Sequence, residues 1–302
     1  MKARDVDGLF DTIEEWNTEV RAAREERRPP HPPDDVRTRR GIVSITTQHR
    51  ILATLRNALN WAVKRRAEYG LEYNPCSSVE LPPEERDPAR VWSPEQVAVF
   101  LEEAENDPLY LLFRLALLRG LRHGEACGIR VCDVSKATGH ISIVQTVLQF
   151  GGRIVMDTPK SQASKRLVSV DEATRTLMKA HVTGLRKKRP AAGEPWSEEA
   201  LLFARPDGRP YAPDRVSARF KEISAAAGLP VIKFHEARHT AASLGLEAGL
   251  DVKVVSTQLG HSTTRITQDL YTHVREAVLD DAAEKVIALL PERPKKAMGA
   301  RS

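Results

Sequence analysis

Four separated clusters of basic residues and histidines, the last followed by a tyrosine, carry the side chains that could do chemistry. The clusters occupy residues 120–125, 158–161, 235–240 and 259–262, and the tyrosine lies within 271–273. Guanidinium groups offer a planar fork of donors to anionic oxygens, and a tyrosine hydroxyl can serve as a nucleophile. Taken singly, however, an arginine such as Arg122 more often ends a solvated helix, and a tyrosine such as Tyr271 more often packs in a core. The order and spacing of the clusters therefore carry more information than any one residue.

One cluster by itself matches a metalloprotease motif. Residues 235–239 read H-E-A-R-H, an H-E-x-x-H pattern that places two histidines on one helical face, as in a zinc protease. His261 or Glu247 could be offered as the third zinc ligand. The H-x-x-G-x-x-H extension is missing, a five-residue match arises by chance fairly often, and a protease leaves the other clusters unexplained. The zinc protease is therefore a remote alternative, and no metal site is predicted.

In their order and spacing, the clusters resemble the catalytic signature of the tyrosine recombinase, or phage integrase, family over about residues 93–290. The resemblance implies site-specific DNA recombination, as in the integration or excision of a mobile element. Tyr271 would attack the scissile phosphate, forming a 3′-phosphotyrosyl bond and freeing a 5′-hydroxyl. This exchange keeps the bond energy, so no ATP, metal or other cofactor is expected. The sequence shows neither a Walker loop nor a carboxylate cluster, which agrees with that expectation.

The resemblance also assigns the phosphate ligands. Arg122 and Arg238 would present their guanidinium groups to the non-bridging oxygens, where negative charge builds during attack, and His261 would add a donor. Removing one such donor raises the barrier by about 3 kcal/mol in comparable oxyanion holes. Glu125 resembles the acidic residue that orients the first arginine of the family.

Proton transfer falls to other residues in the same resemblance. Lys160 would protonate the leaving 5′-oxygen, and the neighbouring arginines would lower its pKa by repulsion. His235 would help to deprotonate Tyr271, because an unperturbed tyrosine with a pKa of about 10 is mostly neutral at pH 7. His239 would have a supporting structural role.

Composition agrees with a cytoplasmic protein that binds a polyanion such as double-stranded DNA. The 302-residue chain has a net charge of +5 and a pI near 9.1. Its three cysteines are odd in number and form no CxxC pair, which argues against a disulfide framework or a thiolate zinc site. Acidic residues interrupt the N-terminus where a secretory signal needs apolar residues. The most apolar stretch, 109–118, contains Arg114 and is too short to span a membrane.

The N-terminal region indicates a small helical domain. Helical periodicity predicts amphipathic helices over 5–27 and 46–68, separated by a proline-rich loop. By resemblance, residues 1–82 form a partial core-binding domain of SAM-like type. The second helix would face DNA with four basic residues, namely Arg50, Arg56, Lys64 and Arg65. A proline-rich, charged linker follows at 83–92, then the catalytic domain at 93–290 and a flexible basic tail at 291–302.

The predicted fold class is mainly α with a small antiparallel β-sheet (α+β). Helices are expected at 94–105, with Ser93 and Gln96 as a capping box, and at 108–119, with Gly120 as C-terminal cap. Alternating apolar residues then predict strands at 140–148, 153–156 and 166–170, with a further strand at 201–203. Helical patterning resumes from Asp171.

Two features depart from the family pattern. Ala237 stands where an apolar leucine normally packs, and Glu236 where aspartate is common. Only about 80 residues precede the linker, and no arm-binding module is indicated, so a truncated, weakly active integrase that acts as a DNA-binding protein is the main alternative. The family resemblance further implies a homo-tetramer on two DNA sites and an accessory directionality factor. The apolar stripe of 275–290 is suited to docking on a neighbouring subunit or packing within its own.

Overall fold

The computed structural model describes residues 2–31, 41–84, 90–158, 165–191 and 196–260. The chain divides into two compact units, one ending at Asp87 and the other beginning at Pro88, within the predicted linker. Three predicted catalytic residues, Lys160, His261 and Tyr271, lie outside the described residues, as do the segments 275–290 and 291–302.

The first unit is helical. Its elements are α1 (Ala3–Glu25), α2 (Ile45–Val63), α3 (Arg66–Tyr69) and a 3-10 helix (Pro75–Ser78). The prediction of one helix over 46–68 is wrong, because Arg65 leaves the helical conformation with φ −117° and ψ 39° and so separates α2 from α3. Helix α3 then ends at Gly70, which adopts a left-handed conformation.

A small core joins the helices of this unit. Val6 and Phe10 of α1 pack with Leu52 of α2 and with Cys76 and Val79 around the 3-10 helix. Most of the apolar positions of α1 that predict an amphipathic helix are therefore buried, although Leu9 is 40% exposed. Because most of a helix's stability in a protein comes from packing of its apolar face, this burial stabilises α1 and α2.

The second unit carries most of the helices. They are α4 (Pro94–Glu103), α5 (Tyr110–Arg119), α6 (His123–Gly128), a 3-10 helix (Val131–Asp133), α7 (Glu172–Ala191), α8 (Pro213–Ala226), α9 (Phe234–Glu247) and α10 (Val252–Leu259). The predicted capping box is present, since Ser93 Oγ accepts from Gln96 N and Gln96 Oε1 accepts from Ser93 N, at 3.3 and 3.0 Å. The predicted starts and ends of α4 and α5 are within two residues of those observed.

Five aromatic side chains form the centre of this unit's core. Neighbouring ring centroids lie 4.7 to 6.4 Å apart, in tilted, stacked and edge-on arrangements. They are Trp92, Phe100, Phe113, Phe220 and Phe234. Because these rings come from α4, α5, α8, α9 and the segment before α4, they fix the position of α9 against α5.

In the part of the chain that the structure describes, two small antiparallel sheets replace the single predicted sheet. The strands are β1 (Ile141–Ile143), β2 (Thr146–Phe150), β3 (Arg153–Asp157) and β4 (Arg166–Val168). β1 pairs with β4, whereas β2 forms a hairpin with β3 through two glycines. The predicted strand 140–148 is therefore broken, because its two halves have different partners. Between them, the Gln145 side chain donates to Gly128 O at 2.6 Å.

The predicted strand at 201–203 is wrong. Only isolated bridges form there within the described residues, between Arg130 and Leu201 and between Ala204 and Pro210. The apolar side chains of Leu202 and Phe203 are nevertheless buried in the main core. Burial without a regular strand partner accounts for the apolar pattern. No helix in the described ranges combines the length and apolar character needed to cross a bilayer.

Candidate active site

The end of α5 brings two distant segments together. Gly120 ends this helix with φ +66°, a conformation that glycine adopts without steric cost. A β-carbon at this position would lie 2.2 Å from Leu259 Cδ2. A larger residue would therefore be strained by the positive φ and would force the side chain of Leu259 from α10 to shift. The carbonyl of Gly120 accepts a hydrogen bond from Arg238 Nη1 at 2.7 Å.

Arg122 follows this turn and is held at the start of α6. Its Nη1 donates to Glu125 Oε1 at 2.5 Å, and its backbone N–H donates to Glu125 Oε2 at 3.0 Å. Its Nη2 donates to Gly260 O at 3.3 Å. Glu125 is almost fully buried, whereas the Arg122 side chain is 36% exposed. The carboxylate therefore fixes one edge of a guanidinium group that still reaches solvent.

Arg238 lies on α9 and is 2% exposed. Its Nη1 has the Gly120 carbonyl as acceptor, but its buried Nη2 has no hydrogen-bond partner among the described residues. Burial and the nearby charge of Arg122 lower the pKa of Arg238 to about 9, which leaves the group protonated at pH 7. A buried charged donor without an acceptor is costly, so this group is prepared to bind an anion.

The two histidines of α9 lie beside these arginines. The ring centroids of His235 and His239 are 5.1 Å apart and their planes are nearly perpendicular. His235 keeps an exposed surface, yet its partial removal from water and the neighbouring basic groups His239, Arg238 and Arg122 lower its pKa to about 4. Burial and Arg238 also lower the pKa of His239, whose Nδ1 is buried without a described partner. Both imidazoles are therefore neutral at pH 7 and available to take up a proton.

Arg166, at the start of β4, belongs to the same cluster and was not predicted from the sequence. Its side chain is 5% exposed, and it donates to both carboxylate oxygens of Glu125, at 3.1 and 2.9 Å. Its Nε donates to Gln258 O at 2.7 Å. The signal that could have indicated it is strand alternation, because Arg166 lies on the same face of β4 as the buried Val168.

The cluster carries an excess of positive charge. Burial opposes ionisation of Glu125, but hydrogen bonding and charge from Arg166 and Arg122 outweigh it and lower the pKa of this carboxyl. One negative charge is thus surrounded by three arginines, including Arg238. Such an arrangement can bind the non-bridging oxygens of a phosphate. Three of the predicted site residues of the described ranges, Arg122, Glu125 and Arg238, therefore lie together, with His235 and His239 beside them.

The structure gives no support to the zinc protease. Glu236, the general base in that interpretation, accepts the backbone N–H of Lys233 at 2.5 Å and so caps the start of α9. Within the described ranges, no three His, Cys, Asp or Glu side chains are grouped so that they could hold a metal ion.

Ala237 is fully buried in the main core. Phe234, one turn earlier on α9, packs against Phe113 and Phe220. These aromatic contacts anchor the helix that carries Arg238, although the leucine of the family pattern is replaced.

The four DNA-binding candidates of the first unit differ in their surroundings. Arg50, Lys64 and Arg65 are exposed, and the guanidinium group of Arg65 lies 4.0 Å from the ring centre of Trp61. Arg56 instead donates to the carbonyls of Cys76 and Val79 at 3.1 and 3.3 Å. Arg56 therefore holds the 3-10 helix within this unit, and its role in DNA binding stays a prediction.

Comparison with known proteins gives the family. The model of the phage integrase family matches residues 90–277, more than half of the chain. The protein belongs to the phage integrase family. The match includes every cluster of the predicted site and extends to the segment that contains Tyr271.

Relatives of this integrase-family chain include tyrosine recombinases from bacteria. A tyrosine recombinase XerC-like protein of Caldanaerobacter subterraneus subsp. tengcongensis is 29% identical over 238 residues, which cover 73% of this chain and 60% of the relative. Tyrosine recombinase XerC of a Mycobacterium species is 31% identical over 244 residues, covering 78% of this chain and 74% of the relative. The chain thus matches less than two thirds of the length of several relatives, such as the first of these.

A solved structure shares the fold. The Tn1549 transposon integrase, in complex with transposon right-end DNA, aligns with a TM-score of 0.66 and 20% identity. The alignment covers 92% of this chain and 85% of the chain in that structure, which is a fragment of the Tn1549 integrase. The mainly helical fold with small antiparallel sheets is therefore that of the integrase family, as predicted.

Proposed function

We propose that this protein catalyses site-specific DNA recombination, as in the integration or excision of a mobile element, through a 3′-phosphotyrosyl intermediate at Tyr271. The observation that carries the proposal is the buried Nη2 of Arg238, a charged donor without a described partner beside the partly exposed Arg122. Membership of the phage integrase family supports the same reaction.

The cluster suits the charge that develops at phosphorus. In-line attack adds negative charge to the non-bridging oxygens, and preorganised donors stabilise that charge most where water is excluded. Arg238 is preorganised by its bond to Gly120 O, and Arg122 by its bonds to Glu125. His261 follows Gly260, whose carbonyl Arg122 contacts, and supplies a further donor in this proposal.

Two proton transfers complete the reaction. The Tyr271 oxygen bonds to phosphorus while the bond from phosphorus to the 5′-oxygen breaks. His235, neutral at pH 7, takes the tyrosine proton, and Lys160 gives a proton to the departing 5′-oxygen. In the second half of the reaction, a 5′-hydroxyl attacks the phosphotyrosine and these transfers reverse. His239 supports His235, and no cofactor takes part.

The proposed partner is double-stranded DNA in the cytoplasm. The right-end DNA in the structure of the Tn1549 integrase supports that choice, as does the net positive charge. Exposed Arg50, Lys64 and Arg65 would contact phosphates, whereas Arg56 would support the backbone around them. We also propose a homo-tetramer that holds two DNA sites, with an accessory directionality factor that selects the direction of recombination.

The test is covalent capture on a DNA library. A pool of nicked duplexes with randomised sequence around the nick is incubated with the full chain in EDTA, and adducts are recovered under denaturing conditions and sequenced. The nick releases a short strand after cleavage and so traps the intermediate. We expect a set of enriched sequences linked to the wild-type protein, and none linked to Tyr271→Phe.

The same experiment separates the alternatives. Enrichment of a sequence by native binding without a denaturation-resistant adduct would favour the DNA-binding protein of reduced activity. Adducts formed equally by Tyr271→Phe would overturn the assignment of the nucleophile. An activity abolished by EDTA would contradict the metal-independent reaction.

A further inference from the structure

All three nitrogens of the Arg166 guanidinium group donate hydrogen bonds to residues of the candidate site or of α10. Its guanidinium group spans the Glu125 carboxylate, with Nη1 at 3.1 Å from Oε1 and Nη2 at 2.9 Å from Oε2. Its Nε donates to Gln258 O at 2.7 Å. The side chains of Arg166 and Glu125 are 5% and 4% exposed, so water competes little with these bonds.

These bonds join three elements that are distant in sequence. Arg166 begins β4, Glu125 lies in α6, and Gln258 lies in the last turn of α10. Arg122 binds the same carboxylate, Glu125, and it also binds Gly260 O, directly after α10. Glu125 therefore serves both arginines, and both arginines hold the end of α10, just before His261.

The arrangement of Arg122 depends on this network. Glu125 can orient Arg122 only if its own carboxylate is ionised and fixed, and a buried carboxylate needs a fully engaged partner to stay charged. The Arg122 side chain is 36% exposed and could change its conformation in solvent. Arg166, bound on both oxygens and at Gln258, is the partner that has least freedom to move.

We propose that Arg166 is a positioning residue for DNA cleavage, which fixes Glu125 and through it the phosphate-binding guanidinium group of Arg122. The proposal rests on the proposed recombinase function. Arg166 acts through Glu125, whereas Arg122 and Arg238 act on the phosphate. A displacement of about 1 Å in a reacting geometry can cost about 100-fold in rate, so the effect should appear in the cleavage step.

The first variant is Arg166→Lys, which keeps the charge but cannot bind both carboxylate oxygens and Gln258 O together. The matched control is Arg130→Lys. Arg130 also binds a buried carboxylate through two groups, Nε and Nη2, at 3.0 and 2.7 Å from Asp133. It lies in the same unit, but within the described ranges it contacts none of the catalytic candidates. The control thus shows how much stability is lost when a similar two-nitrogen contact between an arginine and a buried carboxylate is removed.

The measurement is single-turnover formation of the Tyr271 adduct on a saturating nicked duplex of the captured sequence, together with the Kd for that duplex and the melting temperature. We expect Arg166→Lys to slow adduct formation by about 10- to 100-fold, with Kd within about twofold of wild type. Arg130→Lys should cleave within about twofold of the wild-type rate. It should lower the melting temperature by about as much as Arg166→Lys does.

Coupling to Arg122 gives the decisive readout. If Arg166 acts through Arg122, adding Arg166→Lys to Arg122→Lys should slow adduct formation by less than about twofold beyond the single Arg122→Lys variant. Losses that multiply, an unchanged rate in Arg166→Lys, or an equal fold loss in Kd and rate would each overturn the proposal.

Folding and the proposed function are controlled separately. Arg166→Gln keeps an amide donor for Glu125 without a buried charge, and it is used if the lysine variant unfolds. Unfolding of both variants at low temperature would assign Arg166 to stability alone and overturn the positioning role. Absence of a Tyr271 adduct from wild type and Arg130→Lys would instead show that the proposed function fails, whatever Arg166 does.

Discussion

Two carboxylates of the second unit are each held by two arginines, but their surroundings differ. Glu125 binds Arg122 and Arg166 and is 4% exposed, while Asp171 binds Arg114 and Arg119 with a side chain that is 36% exposed. Asp171 also accepts two hydrogen bonds from Thr174 at the start of α7. Burial opposes ionisation of Asp171, but these bonds and the arginines outweigh it and lower its pKa. An arginine pair around a carboxylate thus occurs both at Asp171, which links α5 to α7, and at Glu125 in the candidate site.

What distinguishes the candidate site is an arginine that reaches solvent and two neighbouring histidines, because a buried guanidinium nitrogen without a described partner also occurs at Asp171, as Arg119 Nε. Next to Glu125, the Arg238 Nη2 is buried without a described partner, and Arg122 reaches solvent. At Asp171 the carboxylate ties α5 to the start of α7, and no histidine lies in that network among the described residues. The comparison teaches that an arginine cluster indicates a candidate site when histidines and an arginine that reaches solvent lie beside it, whereas arginines paired with a carboxylate alone do not.

The largest effect is expected for Arg238→Lys. A lysine carries its three donors on a single nitrogen, so it cannot bind Gly120 O and also place a donor at the position of the arginine Nη2. We expect adduct formation on the captured sequence to slow by about 100-fold or more. The matched control from the other cluster is Arg119→Lys, which should cleave at close to the wild-type rate. Equal losses in the two variants would remove the distinction between the clusters.

The next effect concerns the carboxylates themselves. Glu125→Gln leaves two arginines without a buried counter-charge, so we expect the free energy of unfolding to fall by about 3 kcal/mol and adduct formation to slow. Asp171→Asn, at a more exposed pair, should lower the free energy of unfolding by about 1 kcal/mol and leave cleavage unchanged. Urea unfolding and single-turnover cleavage measure the two quantities. If Asp171→Asn slowed cleavage more than Glu125→Gln does, Asp171 and not Glu125 would support the reaction.

Gly120→Ala tests the turn that brings the arginines together. The positive φ and the 2.2 Å approach to Leu259 Cδ2 both oppose a β-carbon. We expect the free energy of unfolding to fall by about 2 kcal/mol or more, and cleavage to fall with it because the Leu259 side chain must shift and the Gly120 carbonyl that binds Arg238 is disturbed. Gly184→Ala is the control, since nothing lies within 4 Å of a β-carbon there. A melting temperature equal to that of the control would show that the turn is not constrained.

The smallest effect is on pH dependence. The pKa of His235 is about 4 in the folded protein and near 6.5 when unperturbed, so the unfolded chain binds the proton more readily between these values. Stability associated with neutral His235 is therefore present above about pH 6.5 and is lost as the pH falls towards 4. His235→Asn should flatten the melting temperature between pH 6.5 and 4 relative to wild type. An unchanged slope would mean that His235 is not held neutral.

The sequence predicts the helices and the main site residues better than the pairings between them. Capping residues and apolar periodicity locate α4 and α5, but alternation shows where strands lie without showing which strands pair, so the split into two sheets is not predictable. The cluster order leads to Arg122, Glu125 and Arg238, whereas a lone arginine in a strand, Arg166, resembles an ordinary surface residue. A basic side chain on a helix likewise does not reveal whether it faces DNA or, as at Arg56, the protein's own carbonyls.

The most direct test of the central claim is to identify the DNA-linked residue by mass spectrometry of the captured adduct. The chain has five tyrosines, so each is a formal candidate for the nucleophile. A nucleotide attached to Tyr271, formed in EDTA and lost in Tyr271→Phe, is the predicted result. Attachment to any of the other four tyrosines, or tight binding of the captured sequence with no attached nucleotide, would contradict it.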